Sequence, residues 1–174
     1  LRAPTSLYLP CPRRPPRYPG PAMPASYFDV DGTLARTNMV QPLLFYLSNQ
    51  QNPLRSALKL ARAAAQAPGW LASEQVDRGM FNELLFKGYK GISEDRLLEL
   101  ADEAFDNVIR PALYKEGLSL VESAKRAGHR VVLISGSPDF LLERLARMCD
   151  ADDVIGNRLE IRDGLATGRV LRPL

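Results

Sequence analysis

Two short apolar runs about a hundred residues apart frame this chain. Ser26-Tyr-Phe-Asp-Val30 predicts one strand, and the β-branched and aliphatic positions of His129-Arg-Val-Val-Leu-Ile134 predict a second. Between them the apolar positions change to a helical period. Val40 to Ser48 reads as an apolar, aromatic helix. Leu54 to Gln66 reads as an Ala-rich helix with Arg55, Lys59 and Arg62 on one side, ended by Pro68-Gly69; Ala72 to Phe86 follows. Gly91 then breaks the chain, and Ser93 offers an N-cap with Glu94 and Asp95 in the first turn. Leu97, Leu98, Ala101, Phe105 and Val108 form the next stripe. Glu116 to Ala127 predicts a helix stopped by Gly128. Leu141, Leu142, Leu145 and Met148 place another over Asp139 to Cys149. The stripes read as bundle packing, and no internal repeat is present.

Chemistry concentrates where the two predicted strands end. Asp29 and Asp31 are two residues apart, so in an extended chain their carboxylates point the same way. A turn at Gly32 leaves them at the strand's C-terminal edge, where open α/β sheets bind ligands. Paired acids there suit a divalent cation and a covalent nucleophile, which points to chemistry on phosphate. A calcium loop counted from Asp29 fails, because its fifth and twelfth positions hold Thr33 and Val40. A plain Asp-Gly turn stays open as the structural alternative. The second strand runs into Ser135-Gly136-Ser137-Pro138 and then the Asp139–Cys149 helix. Ser135 can donate a hydroxyl, Gly136 admits close backbone approach, and the helix start supplies free amides, so the segment reads as a phosphate cradle. The structural alternative is that Ser137 caps the helix, with Pro138 at its first position.

Phe28-Asp-Val-Asp-Gly-Thr-Leu34 resembles the first motif of the haloacid dehalogenase superfamily, and Ile134-Ser-Gly-Ser-Pro138 resembles its second. The likeness is to the phosphoserine phosphatase-like subfamily, which carries a helical cap between these motifs. Gly156 to Gly168 is similar to the β-hairpin that follows the second motif there, so the resemblance spans about residues 26–173. It implies an α/β fold: a Rossmann-like parallel sheet with an inserted α-helical cap. It also implies a phosphatase that works through an aspartyl-phosphate. Asp29 would be the nucleophile and Asp31 the general acid and base. Mg²⁺ would be held by Asp29 and by the Asp31 backbone carbonyl. Ser135 and the Gly136 amide would bind the phosphoryl oxygens. Asn38 falls where phosphoserine phosphatases carry an acid that reads the substrate's ammonium, which puts a phosphoserine substrate in doubt. The expected partner is a small phosphorylated metabolite.

The family pattern continues with a Lys and an acidic pair, and neither follows Ser135. The last Lys is Lys125, and the later acids Asp150, Asp152 and Asp153 are in the wrong order. Arg169 and Arg172 are poor geometric stand-ins for a Lys. The chain therefore reads as the front part of an enzyme with the C-terminal part of its core missing, and weak phosphatase activity at best is expected. Alternatives are a catalytically inactive phosphate- or partner-binding fragment, or the front of a phospholipid acyltransferase fusion. Residues 1–24 hold eight of fourteen prolines and four arginines without an acid, and read as a disordered leader. The expected division is this leader, an incomplete core at 25–36 and 112–174, and a cap at 37–111 that closes over the site. The leader's charge exceeds the chain's net +3, so the basic balance gives no case for nucleic acid. No run of eighteen apolar residues predicts a transmembrane segment. Two cysteines make no framework; Cys149 is expected to pack as a small apolar group, and His129 to be structural or exposed. This usage suits a cytoplasmic location, or a plastid or other organelle if the leader is a transit peptide.

Overall fold

The computed structural model describes residues 23–50, 52–76 and 78–172; the leader expected at 1–24 lies almost wholly outside them. Strand β1 (Ala25–Asp29) is followed by helices α1 (Val40–Ser48), α2 (Pro53–Val76), α3 (Arg78–Phe86) and α4 (Glu94–Ala104). Helix α5 (Lys115–Arg126) then leads into strand β2 (Arg130–Pro138), helix α6 (Asp139–Cys149), and strands β3 (Asp153–Arg162) and β4 (Leu165–Arg172). The sheet order is β1-β2-β3-β4. The first three strands are parallel, and β4 returns antiparallel on β3 as a hairpin. This is the Rossmann-like α/β arrangement the sequence predicts.

Local chemistry explains most boundaries. Ser93 accepts a hydrogen bond from the Arg96 amide at 3.3 Å, with Glu94 and Asp95 in the first turn of α4, as expected. Gly128 ends α5 at φ +77°, a conformation that glycine adopts without steric cost. One expectation and one structural alternative fail. Pro68-Gly69 does not end the second helix: α2 runs through Pro68 to Val76, and α3 begins at Arg78. A proline inside a helix costs about 3 kcal/mol. Here it sits beside the strong helix formers Ala63, Ala64, Ala65 and Ala67, while Leu60, Ala63 and Ala67 pack toward the core. Ser137 does not cap α6 either. Pro138 stands at the N-cap in an extended conformation, and the Ser137 hydroxyl goes elsewhere.

The inserted helices and the sheet share one apolar core. Tyr46 of α1 meets Tyr89, in the single turn after α3, at 5.5 Å between ring centroids, and Phe140 of α6 at 5.9 Å, both edge-on. The Tyr46 hydroxyl donates to the Leu97 carbonyl at 2.8 Å, tying α1 to α4. Cys149 packs half-buried against this core, and the Ser26 hydroxyl and His129 Nδ1 share a hydrogen bond of 2.9 Å. The β3–β4 hairpin is strapped to the turn before α4. The Gly91 amide donates to Ala166 O at 2.8 Å, Ala166 N to Ile92 O at 2.8 Å, and Glu94 N to Gly164 O at 2.9 Å. A Cβ at Gly168 would lie 3.0 Å from the Lys87 Cα, so the hairpin backbone presses directly on that turn. Residues 91–94 are thus anchored to the core side of the molecule. The amides of Gly91, Glu94 and Ala166 should exchange with deuterium as one protected group; exchange of Gly91 and Glu94 at exposed-loop rates would contradict the strap.

Candidate active site

The site forms where β1 ends beside the irregular middle of β2. Asp29 pairs in register with Ile134, and the Val30 amide continues the ladder to the Ile134 carbonyl at 3.0 Å. The chain then turns. The Val30 carbonyl accepts from the amides of Thr33, Leu34 and Ala35 at 3.2, 3.0 and 2.9 Å, and Gly32 takes φ +83°. Val30 is buried, so its neighbours Asp29 and Asp31 emerge together on the opposite side. Opposite them β2 bulges: Ile134 pairs with Ile155 and Pro138 with Asn157, so four steps along β2 match two along β3. The bulged segment is Ser135-Gly136-Ser137, three residues opposite Gly156 alone. The fully buried Asn157 pins it by donating Nδ2 to the Gly136 carbonyl at 2.6 Å.

Two aspartates two residues apart thereby enter different environments. Asp29 is exposed, and its carboxylate accepts from the Thr33 hydroxyl at 2.8 Å. Asp31 is enclosed by hydroxyls. Ser135 Oγ donates to it, Ser137 Oγ donates at 2.9 Å and Thr37 Oγ1 at 3.4 Å. Burial pushes the Asp31 carboxyl above the usual carboxylate range, and the Asp29 charge adds to that; the three hydroxyls pull the other way. Burial wins, which favours a group able to hold a proton. Near it the Tyr89 hydroxyl is buried without a hydrogen-bond partner among the described residues. Its phenol is kept protonated mainly by burial and next by the Asp31 charge.

Of the residues singled out from sequence, Asp29, Asp31, Ser135 and Gly136 come together. Asn38 does something else with its oxygen: Oδ1 accepts from the amides of Val40 and Gln41 at 3.1 and 3.3 Å, capping α1. The acids Asp150, Asp152 and Asp153 lie toward the other end of the strands: Asp153 is in register with Val132 and through it with Tyr27, about 7 Å of strand short of Asp29 at 3.3 Å per residue. There Asp150 pairs with Lys125, Asp152 accepts from the Val131 amide at 2.9 Å, and Asp153 meets Arg130 at 3.0 Å. Sequence reasoning missed Thr33 and Thr37, and considered Ser137 only as a cap. Ser137 did carry a signal, since it sits two residues beyond Ser135 and so repeats the spacing of the aspartates. It also missed the roof. A Cβ at Gly136 would lie 2.8 Å from Met39 Sδ and 3.7 Å from Asn82 Nδ2, so a thioether and an amide from the inserted helices stand over the cradle.

The oxygen donors here fit a hard cation. The Asp29 carboxylate is exposed at the strand end, and Mg²⁺ commonly takes one or two protein carboxylates while keeping waters and substrate oxygens. Among the described residues no three His, Cys, Asp or Glu side chains group to hold a metal by themselves.

Comparison with known proteins agrees with this geometry. The sequence profile of the haloacid dehalogenase-like hydrolases matches residues 27–174. A phosphoserine phosphatase of Archaeoglobus fulgidus is 29% identical over 147 residues, which cover 82% of this chain and 36% of that protein. The phosphoserine phosphatase SerB2 of Mycobacterium tuberculosis is 30% identical over 148 residues, covering 84% of this chain and 32% of that one. The chain thus spans about a third of the length of these two relatives. Among solved structures, a protein of unknown function from Bordetella pertussis superposes with a TM-score of 0.69 at 22% identity, covering 87% of this chain and 68% of that one. It shows the fold.

The roof yields a test of packing at the cradle. Gly136→Ala should destabilise the fold by about 1–3 kcal/mol in urea unfolding, because Met39 must move. Met39→Ala in the same chain should return most of that loss, whereas strictly additive losses would show that Met39 does not pack on Gly136.

Proposed function

The chain belongs to the haloacid dehalogenase-like hydrolases, and on that premise we propose that it hydrolyses small phosphomonoesters through a phosphorylated Asp29. The carrying observation is the division between the two aspartates: Asp29 exposed at the strand end, Asp31 partly buried among Ser135, Ser137 and Thr37. Pairs of acids whose surroundings pull their proton affinities apart are suited to separate roles as nucleophile and acid.

In this reading an Asp29 carboxylate oxygen attacks phosphorus and the bond to the leaving alkoxide breaks. The alkoxide takes the proton held by Asp31. Asp31, now ionised, accepts a proton from the water that cleaves the aspartyl-phosphate, returning both carboxyl groups to their starting states. The Ser135 hydroxyl and Gly136 amide hold phosphoryl oxygens. Ser135 donates to Asp31 in the free protein, so it must rotate to serve the phosphate; Ser137 and Thr37 then keep Asp31 in place. The Asp29 carboxylate and Asp31 carbonyl would hold Mg²⁺, which when bound offsets the repulsion between carboxylate and phosphate.

The relatives' name, phosphoserine phosphatase, does not carry over directly. Asn38 Oδ1 is occupied at the start of α1, and Met39 and Asn82 over the cradle are both uncharged. An uncharged alcohol as leaving group suits these surroundings better than a zwitterion does.

With the protein and Mg²⁺, Asp29→Asn should lower kcat for phosphate release by about a thousandfold or more, and Asp31→Asn by about a hundredfold or more. An Asp29→Asn variant that turns over like the parent would refute the assignment. In the same assay, kcat/KM for phosphoserine should not exceed that for glycerol phosphate; a clear preference for phosphoserine would show that an ammonium is read here by groups other than Asn38.

A further inference from the structure

Helix α2 carries two apolar lines, and only one of them is packed. Ser56, Leu60, Ala63 and Ala67 face inward, each buried or half-buried. Leu54, Leu58, Ala61 and Ala65 repeat the same helical spacing on the outward side, and all four are exposed, Leu54 by 76% and Leu58 by 70%. One exposed leucine needs no explanation. Two a turn apart, prolonged by two alanines and bordered by Ala57 and Ala64, form an organised surface. About a quarter turn round the helix stand Arg55 and Arg62, both exposed, with Lys59 half-buried beyond them. No acid occurs between residues 53 and 69. Among the described residues none of the three cations has an acidic partner; Lys59 instead donates to the Lys90 carbonyl at 3.3 Å.

We propose that this face of α2 docks on the surface of an anionic lipid bilayer, with Leu54 and Leu58 entering the headgroup region and Arg55 and Arg62 lying against lipid phosphates. The pairing of a bare apolar stripe with unopposed cations is what such a surface complements. A second copy of the chain would bring the same cations with no carboxylate on this stretch to meet them. No described helix is long and apolar enough to cross a membrane, so α2 would lie along the surface. One helix with two protruding leucines binds weakly, and the association should be salt-sensitive.

Vesicle flotation of the protein tests this directly. It should float with phosphatidylcholine vesicles containing about a third phosphatidylglycerol, and not with phosphatidylcholine alone. Arg55→Gln and Arg62→Gln should each reduce the partition about fivefold. The double change Leu54→Ser and Leu58→Ser should reduce it about tenfold or more. All four positions are exposed, so the fold should persist, checked by circular dichroism. Binding that survives both sets of changes would assign the attraction to the arginines of residues 1–22 and overturn the proposal. Equal binding to neutral vesicles would also overturn it, as would an oligomer that the leucine changes dissolve in the absence of lipid.

Discussion

The Asp31 carboxylate, held by hydroxyls from β2 and from the loop before α1, is the contact on which the site's arrangement depends. It joins two segments about a hundred residues apart in sequence, and it exists because β1 and β2 pair in parallel with Asp29 opposite Ile134. Parallel pairing requires a long crossover, and here the crossover holds the helices that roof the same site. A shift of one residue in that pairing would turn Asp29 and Asp31 into the space occupied by Val30, and no hydroxyl of β2 would meet them. The bulge at Ser135-Gly136-Ser137 has a related purpose. It releases the chain from the ladder where the Ser135 and Ser137 hydroxyls meet Asp31, and Asn157 holds it through the Gly136 carbonyl.

Burial separates what composition makes identical. Asp29 and Asp31 are two residues apart, yet one stands in solvent and the other is partly buried among the hydroxyls of Ser135, Ser137 and Thr37. An ionised carboxylate in such a place is costly unless it is hydrogen-bonded, and three hydroxyls offset part of that cost without cancelling it. On the proposed mechanism that residual penalty would serve the chemistry, because a carboxyl that holds its proton more tightly can deliver it to a leaving group. The strap from the hairpin to residues 91–94 belongs to the same design, since it seats the start of α4 against the sheet.

Much of this is legible in the sequence. Strand ends are marked by local chemistry, so Asp29, Asp31, Ser135 and Gly136 could be read from spacing and turn residues alone. Gly128 and Ser93 marked helix boundaries for the same reason. Where the structure departs from these local readings, tertiary contacts override local preference. Pro68 lies within α2 because the helix has an inward line to bury. Ser137 offers a helix cap as its local alternative, since nothing local reveals that its hydroxyl reaches Asp31, 106 residues earlier. Asn38 falls where phosphoserine phosphatases carry an acid, and in the structure its oxygen accepts from the amides at the start of α1, a use that spacing alone does not reveal. Met39 and Asn82 meet over Gly136 only after the inserted helices fold, and no sequence pattern announces such an encounter.

The central claim is that Asp29, and not its buried neighbour, carries the phosphoryl group. Borohydride trapping tests it most directly: the protein is quenched during turnover of a phosphomonoester with Mg²⁺, reduced, and mapped by peptide mass spectrometry. The account predicts reduction of the acyl group at Asp29 alone, dependent on substrate. Reduction at Asp31, or none under conditions where phosphate is being released, would contradict it.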